Sequence, residues 1–469
     1  MVRPQEFHDP RQDPPGSAQS EAAVVEAAVA AAAGTGVIPG DEEVVAEKVE
    51  EAVAIPTKES LLVAISAGLG YGFDAYAVNI FGLIIPFLVV SLHTSTKTLG
   101  NVGSLQLLGY TIGTIGFGWA ADRWGRKDTL GVSILSYGVT TAVGGLFTAV
   151  GPFAAMRFLT GIGGAGELAV GAPYTAEVWP KRHRALGAGG IIFSIYSLGY
   201  ILAAVVALFV VSTIGWQWAF YLAVVPALAV FLVRRRIVES PRYLHAVAEA
   251  RRRSQMEQAS EAARGGREPL RHIWSTRESR KRVVVGSLIY IANACGYWAI
   301  AVFLTDFIVK KFHESPRQAI VWAIVFYGVQ FFLSFAGSLL ADWIGRRPAA
   351  ILGSVIMIVC TVVGAEAGSL VLFLVFMGTA VGMLGWLWGI GNTYISELFP
   401  THLRGTGFGW CVGVGRTASI FTPTLVASGI VAFGVTGTLL WTAPLWVIGM
   451  IGYFLGPETH RRELEEVAG

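Results

Sequence analysis

The chain has 469 residues, of which 54% are hydrophobic and 14% charged, with 57 glycines and a mean hydropathy of +0.58. Water-facing domains carry about a quarter charged residues, so a soluble globule, a disordered chain and a fibrous protein are all excluded, leaving a polytopic membrane protein. The net charge of +3 comes with no clustered basic face, so no nucleic-acid partner is expected.

Residues 1–58 differ from the rest: Pro-, Gln- and Ser-bearing at first, then Ala-rich, then acidic from Asp41 to Glu51. They lack a basic region before the Ala-rich run, so they read as a disordered cytoplasmic tail, not a signal peptide. From Leu61 onward, apolar runs of about 20 residues alternate with short polar breaks, the length a spanning helix needs. The spans read as 61–91, 98–121, 128–149, 151–176, 185–211 and 216–233, then 282–309, 318–340, 347–366, 369–396, 403–431 and 436–456. The runs are continuously apolar without two-residue alternation, which excludes a β-barrel. The expected fold is an all-α membrane protein of twelve transmembrane helices in two pseudo-symmetric six-helix halves. The N-terminal bundle covers 59–233, a cytoplasmic loop 234–281, the C-terminal bundle 282–456 and a cytoplasmic tail 457–469.

Basic residues set the orientation. With both termini inside, the inner loops and C-terminal tail hold 25 Lys and Arg, against four (Lys97, Lys310, Lys311, Arg317) in the outer loops. A multi-pass protein of the plasma membrane with both termini cytoplasmic is expected. Cys295, Cys360 and Cys411 lie in apolar segments without a CxxC pair, so no disulfide framework and no metal site are expected.

The halves repeat. Gly118-Trp-Ala-Ala-Asp122-Arg-Trp-Gly125-Arg126-Lys127 follows the second span, and Gly337-Ser-Leu-Leu-Ala-Asp342-Trp-Ile-Gly345-Arg346-Arg347 follows the eighth. Glu177 with Arg184 follows the fourth span, and Glu397 with Arg404 the tenth. Two charged motifs recurring at one offset indicate duplicated halves, as in alternating-access carriers.

These residues resemble the major facilitator superfamily over roughly residues 60–465. The resemblance implies a carrier rather than an enzyme, a functional monomer that needs no cofactor and moves a small molecule with protons. It makes Gly118, Asp122, Gly125, Arg126, Lys127, Glu177, Arg184, Asp342, Gly345, Arg346, Glu397 and Arg404 gating residues, whose ion pairs break and reform as the halves rock. Glu239-Ser-Pro-Arg-Tyr-Leu244 and Pro457-Glu-Thr459 are similar to motifs of the sugar-porter branch and its metabolite:proton relatives. The seventh span, Ile289-Tyr-Ile-Ala-Asn-Ala-Cys-Gly296, lacks the paired glutamines with which sugar porters hold hydroxyls. Gly72-Phe-Asp-Ala75, Gly161-Ile-Gly-Gly-Ala-Gly-Glu167 and Gly415-Arg-Thr-Ala-Ser-Ile-Phe-Thr-Pro423 are similar to carriers of small organic acids, aromatic acids among them.

Four ionisable residues fall well inside spans: Asp74, Arg157, Glu167 and Arg416. Each costs roughly 2.5–3.5 kcal/mol at a helix centre, so each needs a partner or a task. The resemblance makes Asp74 and Arg157 a proton-switched pair, with Glu167 a second proton site or a substrate contact. Arg416, near mid-bilayer, offers a planar fork suited to a carboxylate, or a structural partner for Glu167. Trp386, Trp388, Asn392 and Tyr394 in the tenth span read as an aromatic-binding wall or as ordinary packing. The expected function is proton-coupled symport of a small organic acid, aromatic acids included; a sugar or polyol symporter and an efflux antiporter for drugs or organic cations are the alternatives. No Ser/His/Asp set or HExxH motif appears within the spans, in keeping with a protein that is not an enzyme.

Overall fold

The computed structural model describes residues 57–244, 247–248 and 274–462. The tail expected over 1–58 lies outside these residues except for its last two positions, as do most of the loop 234–281 and residues 463–469 of the C-terminal tail. Among the described residues all regular structure is helical.

The first half consists of α1 (Lys58–Leu83), α2 (Thr96–Trp124), α3 (Arg126–Gly144), α4 (Val150–Val178), α5 (Leu186–Phe209) and α6 (Trp216–Arg234). The second consists of α7 (Arg277–Phe312), α8 (Pro316–Ile344), α9 (Arg346–Glu366), α10 (Leu370–Glu397), α11 (Arg404–Ser419), α12 (Thr422–Thr442) and α13 (Pro444–Leu455). Hydroxyl caps start several of them: Thr57, Ser95, Thr276, Ser315 and Ser369 each accept the backbone N–H three residues on.

Two sequence spans are broken in the structure. The span read as 61–91 breaks at Ile84, before Pro86, and resumes as a short helix Ile85–Ser91, because proline supplies no N–H to continue the ladder. The eleventh crossing starts as α11 and, past a break at Ile420 and Phe421, continues into α12. The turn to the twelfth crossing falls between 431 and 436 as the sequence reading has it, inside α12 at Gly434, whose φ of 68° suits only glycine well.

The polarity is inverted relative to a soluble protein. Val431, Val371 and Phe332 are 89, 72 and 70% exposed, while Arg126, Arg157, Arg184, Arg234, Arg346 and Arg404 are among the largest fully buried side chains. Apolar groups face outward to lipid, and charges pair within.

The halves meet along two seams, α2 against α11 and α5 against α8. On the first seam the main chains touch. A Cβ on Gly118 would stand 2.3 Å from the Gly405 carbonyl oxygen, and one on Gly409 would stand 2.3 Å from that of Thr114. Only glycine permits such an approach.

Candidate functional site

Charge is concentrated at one end of the bundle, here called the basic face. The α2–α3 and α8–α9 turns there pass through Gly125 and Gly345 at φ 105° and 108°, a conformation side chains disfavour. Each turn is capped by a distant carboxylate. Glu239 accepts the backbone N–H groups of Arg126 and Lys127 at 3.0 and 3.1 Å. Glu458 accepts those of Arg346 and Arg347, both at 3.0 Å. The Glu-Ser-Pro-Arg and Pro-Glu-Thr motifs therefore supply anions at the N-termini of α3 and α9, where the helix dipole favours them.

Within each half an arginine bridges two acids. Arg126 donates twice to Glu177, at 3.2 and 3.0 Å, and lies 3.1 Å from Asp122. Arg346 donates twice to Glu397, at 3.3 and 3.1 Å, and lies 3.0 Å from Asp342. The acids then reach across the seams. Asp122 accepts the backbone N–H groups of Gly405 and Thr406 at 3.1 and 2.6 Å, at the start of α11. Asp342 accepts those of Ala185 and Leu186 at 3.0 and 2.9 Å, at the start of α5. Arg404 donates to Glu177 at 3.0 Å and Arg184 to Glu397 at 3.3 Å. Burial pushes the Arg184 guanidinium down to about 10, with Glu397 drawing it upward, so it is charged at neutral pH. Lys127 turns outward and donates to the Arg235 carbonyl.

Between the halves lies a cavity of about 10 Å³, room for roughly one water, lined by Tyr71, Phe193, Tyr196, Tyr297, Gln330, Trp388 and Arg416. Toward the opposite face, phenols from both halves close over it. Tyr200 of α5 stacks on Tyr327 of α8 at 3.6 Å between ring centres. The Tyr297 hydroxyl meets those of Tyr196 and Tyr327 at 3.2 and 3.3 Å and donates to Asn79 at 3.2 Å. Contacts between the halves are thus made on both sides of the cavity.

The candidate binding residues separate. Arg416 and Trp388 line the cavity. The Arg416 guanidinium lies 5.0 Å from the Tyr110 ring centre and 6.0 Å from that of Trp388, and its Nε has no partner. Trp388 stacks on Phe193 at 5.5 Å, and its Nε1 also lacks a partner. Asn392 is off the lining and donates to the Trp388 carbonyl at 2.6 Å. Tyr394 is more remote: its hydroxyl donates to the Pro457 carbonyl at 2.7 Å, and its ring packs on Tyr453.

The candidate proton residues also separate. Asp74 receives the Tyr110 hydroxyl rather than Arg157. Arg157 donates to the Ala77 carbonyl and Gln106 Oε1 at 2.8 and 2.9 Å, with Phe81 and Phe220 over its guanidinium. Glu167 binds Arg234 of α6 at 2.9 and 2.5 Å and receives Ser133 at 3.0 Å, so it partners neither Arg157 nor Arg416. Reading Arg234 as the first residue of a basic loop hides this pair in the sequence; in the structure it is the last residue of α6 and fully buried. Tyr110 carries no sequence signal, since an aromatic residue in a span ordinarily reads as packing. Among the described residues no cluster of His, Cys, Asp or Glu could hold a metal.

Comparison with known proteins places this arrangement. A protein of Bacillus subtilis (strain 168) named for niacin/nicotinamide transport is 28% identical over 413 residues, covering 85% of this chain and 96% of its own. The cis,cis-muconate transport protein of Acinetobacter baylyi is 24% identical over 366 residues, covering 76% and 85%. The solved structure of the proton:xylose symporter XylE superposes with a TM-score of 0.75 at 19% identity, covering 88% of this chain and 99% of that one. Residues 60–469 match the family described as sugar (and other) transporter. The chain belongs to that family and is a membrane transporter of the major facilitator superfamily.

Proposed function

We propose that this carrier is a proton-coupled symporter of a small organic acid, aromatic acids included, working by alternating access in the plasma membrane. Arg416 carries the reading. Its guanidinium lines the interface cavity, has an unpartnered Nε, and has no carboxylate within 4 Å among the described residues. A buried guanidinium cannot shed its proton, and its planar donors match a carboxylate. Trp388 beside it, with an unpartnered Nε1, gives a flat ring a face to lie on. Niacin and muconate, in the relatives' names, carry carboxylates, whereas nicotinamide, also in the first of those names, is the neutral amide that the test below sets against the acid. Asp74 takes the role of proton carrier. The 25-to-four bias of basic residues supports a cytoplasmic location for the basic face and both termini. A cavity of about 10 Å³ admits no such substrate, so it enters when the halves part.

The test is binding of nicotinate and of its neutral amide to the wild type and to Arg416→Gln. The acid is expected to bind the wild type at least tenfold more tightly than the amide, and the substitution to abolish that preference. Preference of the wild type for the amide, or an acid preference surviving in Arg416→Gln, overturns the reading.

A further inference from the structure

Tyr110 occupies an unusual position. It is 2% exposed, on α2, with its hydroxyl donated to Asp74 of α1 and its ring facing the Arg416 guanidinium of α11 at 5.0 Å. Room for the contact comes from α4, where a Cβ on Gly164 would stand 2.2 Å from Asp74 Oδ1 and 2.7 Å from the Tyr110 oxygen. One side chain thus joins a carboxylate of the first half to a guanidinium of the second. Ring and hydroxyl act in concert, because donating the O–H to an anion enriches the ring face that attracts the cation.

Of the other groups facing Asp74, Arg157 keeps its charge with neutral partners only, Glu167 is paired, and the rest are phenols. Arg157 and Glu167 face it from α4, the first donating to Ala77 and Gln106, the second neutralised by Arg234. The phenols of Tyr71 on α1, Tyr137 on α3 and Tyr290 on α7 complete the surround.

We propose that Tyr110 is the positioning residue that couples proton to anion: through its ring and hydroxyl, a carboxylate seated on Arg416 and a proton on Asp74 each favour the binding of the other. This rests on the reading of Arg416 and Asp74 given above. An anion on Arg416 offsets the positive charge held against the Tyr110 ring and loosens the guanidinium from it. The carboxylate of Asp74 loses that support and accepts a proton, and by reciprocity a protonated Asp74 strengthens anion binding by the same factor.

The experiment measures calorimetric affinity for nicotinate, benzoate and cis,cis-muconate between pH 6.5 and 8.5, where each probe's charge is constant. Full-length wild type, Tyr110→Phe and Arg416→Gln are compared. Wild-type affinity is expected to fall as pH rises, about tenfold per unit at its steepest for one linked proton. Tyr110→Phe keeps the ring and is expected to bind with less than threefold change across the range. A merely structural role would shift affinity by one factor at every pH and leave the slope intact; that outcome overturns the proposal while the Arg416 reading stands. An unaltered acid preference in Arg416→Gln, or no binding of any of the three acids, overturns the reading and the proposal with it. Should Tyr110→Phe fail to fold, 3,5-difluorotyrosine at position 110 preserves the shape and is expected to displace the midpoint of the pH profile; an undisplaced midpoint counts against the proposal.

Discussion

Arg404 of the second half donates to Glu177 of the first at 3.0 Å, and both side chains are fully withdrawn from solvent. Arg126 shares the same carboxylate, so one acid holds an arginine from each half. Removing one partner of a buried pair costs about 3–5 kcal/mol because the other charge is stranded. That cost falls on the closed basic face, since separating the halves re-exposes Arg404 to water.

Glu177→Gln is therefore expected to shift the carrier toward opening at the basic face, with substrate binding kept and net uptake reduced at least tenfold. Glu397→Gln should act in the same direction through Arg184 and Arg346. Uptake at the wild-type rate in vesicles for either variant would contradict the latch.

Asp122 works through backbone: its two oxygens accept Gly405 and Thr406 N–H groups, and Thr406 Oγ1 donates to it as well. Asn offers one oxygen where two are needed. Asp122→Asn and Arg126→Ala are expected to slow cycling while thermal stabilisation by nicotinate persists. Lost stabilisation with normal exchange would reverse the assignment.

Asp74→Asn removes the titrating group of the first span. Accumulation driven by a pH gradient should vanish, while exchange of labelled for unlabelled substrate partly survives. Full gradient-driven uptake by this variant would remove Asp74 from the coupling scheme.

Glu167 has both oxygens on Arg234 and a further bond from Ser133. Glu167→Gln is expected to lower the melting temperature by stranding Arg234, and Glu167→Leu with Arg234→Met to regain most of the loss, as apolar replacement of a buried pair often does. Unchanged melting with altered proton stoichiometry would instead make Glu167 a proton site.

What the residues disclosed in advance followed the cost of charge in lipid. Asp74, Glu167 and Arg416 stood out because an ionised group in a span demands an explanation, and the gate residues because they recur at one offset in both halves. Their partners were less legible. Arg234 lies where a span meets a basic loop, so hydropathy assigns it to the loop. Asn392 and Tyr394 lie about one and nearly two turns along α10 from Trp388, and helix periodicity alone cannot tell which of its faces meets the other half. Tyr110 and the Tyr196–Tyr297–Tyr327 cluster were silent because a phenol costs little to place in a span.

A coupled carrier must also insulate. Where Gly118, Gly405 and Gly409 bring α2 and α11 together, part of the barrier at the basic end is peptide against peptide, beside the Asp122 carboxylate, which leaves little room for a file of water. Gly405→Ala would hold the seam open by about the width of a methyl group. The consequence would appear as a proton leak in the absence of any substrate, dissipating the gradient on which transport runs.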